Sequence, residues 1–172
     1  MGRKLSTKTA RAATLLMLCV GLTACGFQLR TFDFQSSVES YALAGKTGMA
    51  IAAPLHEGLR NAGVREATTL NAAIVIDLIE ERSERRSAST SGQSTAAEYE
   101  MSYAVQYRIL NGAGDELAPA AWVNRNRVYQ IDRGNIVGSS GEQAILREEM
   151  MQDVVGQIVR AVDAVARNAA AG

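Results

Sequence analysis

Between residues 98 and 109, apolar and polar side chains alternate almost without a break. Tyr99, Met101, Tyr103, Val105, Tyr107 and Ile109 fall on one parity, and Glu98, Glu100, Ser102, Gln106 and Arg108 on the other. Successive side chains of a strand point to opposite faces, so this segment is expected to be a half-buried antiparallel strand with its aromatic face covered. Residues 72–81 are rich in Ile and Val and read as a buried strand, with Ile74, Ile76 and Leu78 on one face and Val75, Asp77 and Ile79 on the other. Val38 to Ala44 alternates at first and is closed by Gly45, which predicts a first strand. Asn111-Gly-Ala-Gly-Asp115 is turn chemistry and leads through a hairpin to a fourth strand around 121–131. Pro119 stands at its entrance, where no ladder donor is required.

Two stretches carry helical spacing. Between Gly48 and Ala62, Leu55 and Leu59 lie four apart and Gly63 is placed as the C′ residue. Pro54 either sits in the first turn of a helix that begins there or kinks a longer one, and the first arrangement is expected. Further on, Leu146, Met150, Met151, Val154, Val155, Ile158, Val159, Val162 and Val165 form the broad apolar stripe of a long helix. Glu149, Gln152, Asp153, Arg160, Asp163 and Arg167 fall opposite, and Ser139 or Ser140 is the candidate cap. The methionines of the stripe are read as core filling rather than a lipid groove. Residues 83–97 are polar and small and are expected to contain a loop. The sum is an α+β two-layer sandwich in the order β-α-β-β-β-α. A small, mostly antiparallel four-stranded sheet carries two helices on one face, in a single domain over 38–172.

The N-terminus changes the picture. Arg3, Lys4, Lys8 and Arg11 precede an apolar run from Ala12 to Leu22, too short to span a bilayer as a helix. This is the layout of a secretory signal peptide over residues 1–24. Its ending, Leu22-Thr23-Ala24-Cys25, resembles a bacterial lipobox, in which the cysteine thiol is acylated and becomes the first mature residue. Each buried CH₂ of an acyl chain contributes about 0.8 kcal/mol and stable anchoring takes about two chains. Residues 25–37 then read as a lipidated tether. Gly26, rather than Asp, after the cysteine points to the outer membrane under enteric-type sorting.

Composition narrows the function classes. The mature chain would keep 14 basic and 18 acidic residues, which does not favour a nucleic-acid binder. With Cys19 in the signal and Cys25 lipidated, no thiol is left for a disulfide, a metal or a nucleophile. His56 is the only histidine and has no catalytic motif around it, so it is read as a solvated helix residue. The chain shows no GxSxG, P-loop or dinucleotide fingerprint. A non-enzymatic protein without a cofactor or metal is expected.

Four segments resemble a known family. Cys25-Gly-Phe-Gln-Leu-Arg30, Leu59-Arg-Asn-Ala-Gly-Val64, Ala97-Glu-Tyr-Glu-Met101 and the late Glu148-Glu-Met150 are similar to LptE, the lipopolysaccharide-assembly lipoproteins. The resemblance covers nearly the whole mature chain. It implies an outer-membrane lipoprotein that plugs the lumen of the LptD β-barrel in about a one-to-one complex, helps that barrel assemble, and binds lipopolysaccharide on its way to the outer leaflet. It also implies basic lipopolysaccharide contacts near the end of the second strand and on the fourth. The candidates are Arg85 and Arg86, with Arg82 beside them, and Arg125 and Arg127, which at two apart project from one face. A basic residue that the family carries before the loop's Gly-Gln is Ser91 here. The bland reading of Arg125 and Arg127 is cross-strand pairing with Glu98 or Glu100 on the exposed sheet face. The runner-up function is a lipoprotein adaptor that binds another envelope protein or peptidoglycan.

Overall fold

Three long strands dominate the chain in a computed structural model that describes residues 38–89, 96–132 and 136–171. The elements run β1 (Ser40–Gly45), α1 (Ala52–Asn61), β2 (Arg65–Glu66), a 3₁₀ turn (Thr69–Asn71), β3 (Ile74–Ser89), β4 (Ala96–Leu110), β5 (Glu116–Asp132) and α2 (Ile136–Ala171). They form one sheet in the order β2-β1-β3-β4-β5. The expected four strands are therefore five, because the two-residue β2 adds a parallel edge beside β1. The sheet is mostly antiparallel, as expected, with parallel pairing confined to that edge. β1 pairs in parallel with both β2 and β3, while β3-β4 and β4-β5 are antiparallel. The α+β class and the placement of both helices on one face are as expected. All described residues belong to the unit Asp33–Gly172; the signal peptide, Cys25 and the tether over 25–37 lie outside the described residues.

The core forms where the alternating face of β4 meets the helices. Met101, Tyr103, Val105, Tyr107 and Ile109 are buried together with Tyr41 of β1, Ile74, Ile76 and Leu78 of β3, Leu55 and Leu59 of α1, and Met150, Val154, Ile158 and Val162 of α2. A smaller apolar group, Ala42, Ala72 and Val75, lies on the other face of the sheet. Gly58 lets the two helices close on each other, since a Cβ there would stand 2.7 Å from Val155 Cγ1.

α1 begins at Ala52, two residues before the expected start. Pro54 is the third helical residue and sits inside the first turn, where its missing N–H costs no helical bond. Its other end is a Schellman motif: Gly63 N donates to Arg60 O at 2.9 Å and Val64 N to Leu59 O at 3.1 Å, with Gly63 at φ +82°. α2 begins at Ile136, so Ser139 and Ser140 lie within the helix rather than ahead of its first residue. Asp163 also departs from expectation. It is buried rather than on the solvated side, and ion-pairs with Arg167. β5 begins at Glu116, which puts Pro119 within the strand, at the register irregularity opposite Tyr107 to Ile109.

β3 continues through Ser89, so much of the expected polar loop is strand. A bulge between Leu78 and Glu80 shifts the register against β4 by one residue. Side chains beyond it therefore swap faces: Glu81, Ser83 and Arg85 follow Ile76 and Leu78 onto the helix side, and Arg82, Glu84 and Arg86 turn to the open face. The bulge also brings Glu81 to a junction. Its carboxylate accepts from the Tyr103 hydroxyl and, at 2.7 Å, from Ala50 N in the loop that enters α1.

Candidate functional site

The register of the long strands sorts the candidate arginines into two groups. Arg85, Met101 and Arg127 stand directly across from one another on neighbouring strands, and Ser83, Tyr103 and Arg125 form the next row. Both rows lie on the helix side. Arg86 pairs in register with Glu100 on the open face, so Arg85 and Arg86 are not brought together. The expected pairing of Arg125 and Arg127 with Glu98 or Glu100 is overturned for the same reason: those carboxylates project from the other side of the sheet. Arg125 and Arg127 do share one face, as their spacing requires.

On the helix side their partner comes from α2. Arg127 Nη2 donates to Asp153 Oδ2 at 2.8 Å, and Arg125 Nε lies 3.6 Å from the same oxygen. Each guanidinium also folds back on its own strand, Arg125 to Asn124 O and Arg127 to Asn126 O. With its amide oxygen turned towards Arg125, Gln157 accepts from that guanidinium one turn further along α2. Arg85 stacks over Tyr99, 5.1 Å from the ring centroid, and donates to Gln143. Tyr99 in turn stacks on Tyr129 at 6.0 Å. The result is three guanidinium side chains spread over two neighbouring rows, Arg85 and Arg127 on either side of Met101 and Arg125 in the next, with the stacked tyrosines beyond.

The open face is exposed, and two of its arginines are paired within the sheet. Arg82 binds Glu80 at 2.7 Å and lies 4.5 Å over Trp122; Arg86 binds Glu84 at 2.7 Å; Asn126 donates to Glu100. The hydrogen bond from Arg82 holds the Glu80 carboxyl below its ordinary range, and the Glu80 and Glu84 bonds push Arg82 and Arg86 up. Arg82, Glu84, Arg86, Glu100, Ser102, Asn124 and Asn126 line a shallow hollow of 240 Å³.

Asp153 and Gln157 were missed in sequence as partners, although β5 carries a signal for them. Val123, Tyr129 and Ile131 share a parity with Arg125 and Arg127, which marks the arginines as members of the covered face. His56 is not the solvated residue expected. It is half-buried, its Nδ1 lies 2.8 Å from the Tyr41 hydroxyl, and its Nε2 is 3.5 Å from Glu66. Among the described residues no three His, Cys, Asp or Glu are grouped to hold a metal ion, and no helix is long and apolar enough to cross a membrane.

Three tyrosine hydroxyls titrate high. Burial, with help from the Glu66 charge, raises Tyr41 to about 12; burial and the bond to Glu81 push Tyr103 up, and burial alone raises Tyr107. A hydroxyl whose folded pKa exceeds its unfolded value stabilises the fold below the unfolded pKa, about 10 for tyrosine, and loses that contribution as pH rises towards the folded value. Melting temperature is therefore expected to fall from about pH 10 upward, with a shallower fall for Tyr41→Phe. An unchanged melting temperature through about pH 11.5 would contradict this.

Fold and site together define a small α+β domain whose long strands carry Arg85, Arg125 and Arg127 on the helix side, beside the stacked Tyr99 and Tyr129. The family model described as lipopolysaccharide-assembly, LptE, matches residues 29–162. The chain belongs to the LptE family, and is thus a membrane-associated lipoprotein of lipopolysaccharide assembly. Its fold is similar to that of lipoprotein B from Nitrosomonas europaea, at TM-score 0.68 and 24% identity over 81% of this chain and 91% of that one. Rare lipoprotein B from Shewanella oneidensis matches at TM-score 0.63 and 23% identity over 75% and 97% of the two chains. A minor lipoprotein from Acinetobacter baumannii matches at TM-score 0.61 and 18% identity, over 74% and 92%. No curated protein matches.

Proposed function

We propose that the protein is an outer-membrane lipoprotein, acylated at Cys25, that plugs and helps assemble the LptD β-barrel and binds lipopolysaccharide during its insertion into the outer leaflet. The observation that carries the lipid-binding part is the arginine pair on β5. Two guanidiniums share one carboxylate and remain partly open to solvent, so the cluster keeps a net positive charge. Phosphate groups of lipopolysaccharide fit such a fork through bidentate, charge-assisted bonds. Arg85, in the row of Arg127, adds a third donor set, and the half-buried Tyr99, packed on the buried Tyr129, lies beside the charge.

The open face supports the plug reading. Its Arg82 and Arg86 are paired with Glu80 and Glu84, and it presents an exposed, largely polar surface that also carries Trp122 and Val128, which suits the lumen of a large barrel. A lipid anchor at the N-terminus would hold the domain at the membrane and make docking nearly intramolecular. Purifying the tagged chain from detergent-solubilised membranes should recover one large barrel protein in about equal amount. Recovery of soluble envelope proteins alone would overturn the plug assignment.

A further inference from the structure

Asp153 does more than one exposed carboxylate usually can, because its Oδ2 serves both Arg127, at 2.8 Å, and Arg125, at 3.6 Å. It does so from α2, while both arginines stand on β5. Two cations against one anion leave the group under-neutralised. The side chains of Arg125, Arg127 and Asp153 are 30%, 45% and 44% exposed, so the pairs can open from outside without disturbing the core.

We propose that Asp153 is an internal competitor for phosphate: it occupies the arginine pair in the free protein and is displaced by a phosphomonoester group of the bound lipid. This rests on the reading that Arg125 and Arg127 contact lipopolysaccharide, and adds the residue that sets their selectivity. An incoming carboxylate brings the same single charge and two oxygens as Asp153, which is already present at high effective concentration. Such a ligand gains nothing by the exchange. A phosphomonoester brings a charge of about −1.5 to −2 and three acceptor oxygens. It can satisfy both guanidinium forks and neutralise both charges at once. Asp153 thereby screens out weaker anions and yields to the stronger one.

The test measures binding of intact and enzymatically dephosphorylated lipopolysaccharide by the full-length chain in detergent. Four proteins are compared: the native chain, Asp153→Asn, Arg125→Gln/Arg127→Gln, and the triple variant, each checked for folding by its melting curve. Asparagine keeps the size of the side chain and removes its charge. Exposed ion pairs bias their equilibria by up to about fivefold, so Asp153→Asn is expected to tighten binding of the intact lipid about two- to fivefold. The gain should vanish with the dephosphorylated lipid and in the triple variant. If the double arginine variant loses binding while Asp153→Asn binds unchanged or more weakly, the arginine site stands and the competitor role falls. A gain that survives in the triple variant is general removal of negative charge, and also overturns it. If the double arginine variant binds like the native chain, the underlying reading fails and the competitor role with it.

Discussion

Gly45→Ala is expected to cost about 2–5 kcal/mol, a large share of the roughly 5–15 kcal/mol that holds a domain of this size together. Gly45 ends β1 at φ +73°, a conformation that any Cβ makes unfavourable. The added carbon would also overlap Asp77 Oδ1 and the Leu78 carbonyl oxygen. Neither is free to yield. Leu78 O accepts from Lys46 N at 2.8 Å where the chain leaves β1, and Asp77 Oδ2 is held by Arg108 Nε at 2.6 Å. Relief therefore means parting β1 from β3. That would expose Tyr41, and with it the hydroxyl contact to His56 that ties the sheet to α1. Thermal melts should show a melting temperature lower by about 7–17 °C. A shift of only a few degrees would show that the β1–β3 junction is softer than its geometry implies.

The second large effect is functional. Arg125→Gln together with Arg127→Gln should weaken lipopolysaccharide binding at least about tenfold, because each charged hydrogen bond to phosphate is worth about 1.5–3 kcal/mol. Stability should barely change, since the pairs with Asp153 are exposed and such pairs contribute about 0.2–1 kcal/mol. A change in binding of more than tenfold with a melting temperature within a few degrees separates ligand contact from structural support. Glutamine is the better probe than charge reversal, because a glutamate at either site would face Asp153 and confound the two readouts.

Much of the architecture was legible because burial imposed a period. The six alternating apolar residues of β4 fix its covered face, and the stripe from Leu146 to Val165 fixes that of α2. Gly63 could be read as a helix stop because a residue at φ +82° is most easily a glycine. The missing parts lack that imprint. β2 is two exposed residues held by backbone pairing, with no side-chain pattern to announce it. β3 from Arg82 to Ser87 has exposed side chains on both faces, so its alternation carries no contrast and it resembles a loop. The bulge after Leu78 then decides which arginine faces the helices, and a one-residue slip is invisible in a polar run. For the site, the spacing of Arg125 and Arg127 gave a shared face, but their charge suggested the wrong one. Their helix-side location follows from the parity they share with Val123, Tyr129 and Ile131, whereas their partner Asp153 lies 26 residues beyond Arg127, and such pairing is set by packing rather than by local sequence.

The most direct measurement follows the arginine side chains themselves. In ¹⁵N-labelled protein in detergent, the Nε–H signals of Arg125 and Arg127 should both shift when intact lipopolysaccharide is added and stay in place with the dephosphorylated form. Signals that move equally with both lipids, or with neither, would contradict a phosphate-binding pair on β5.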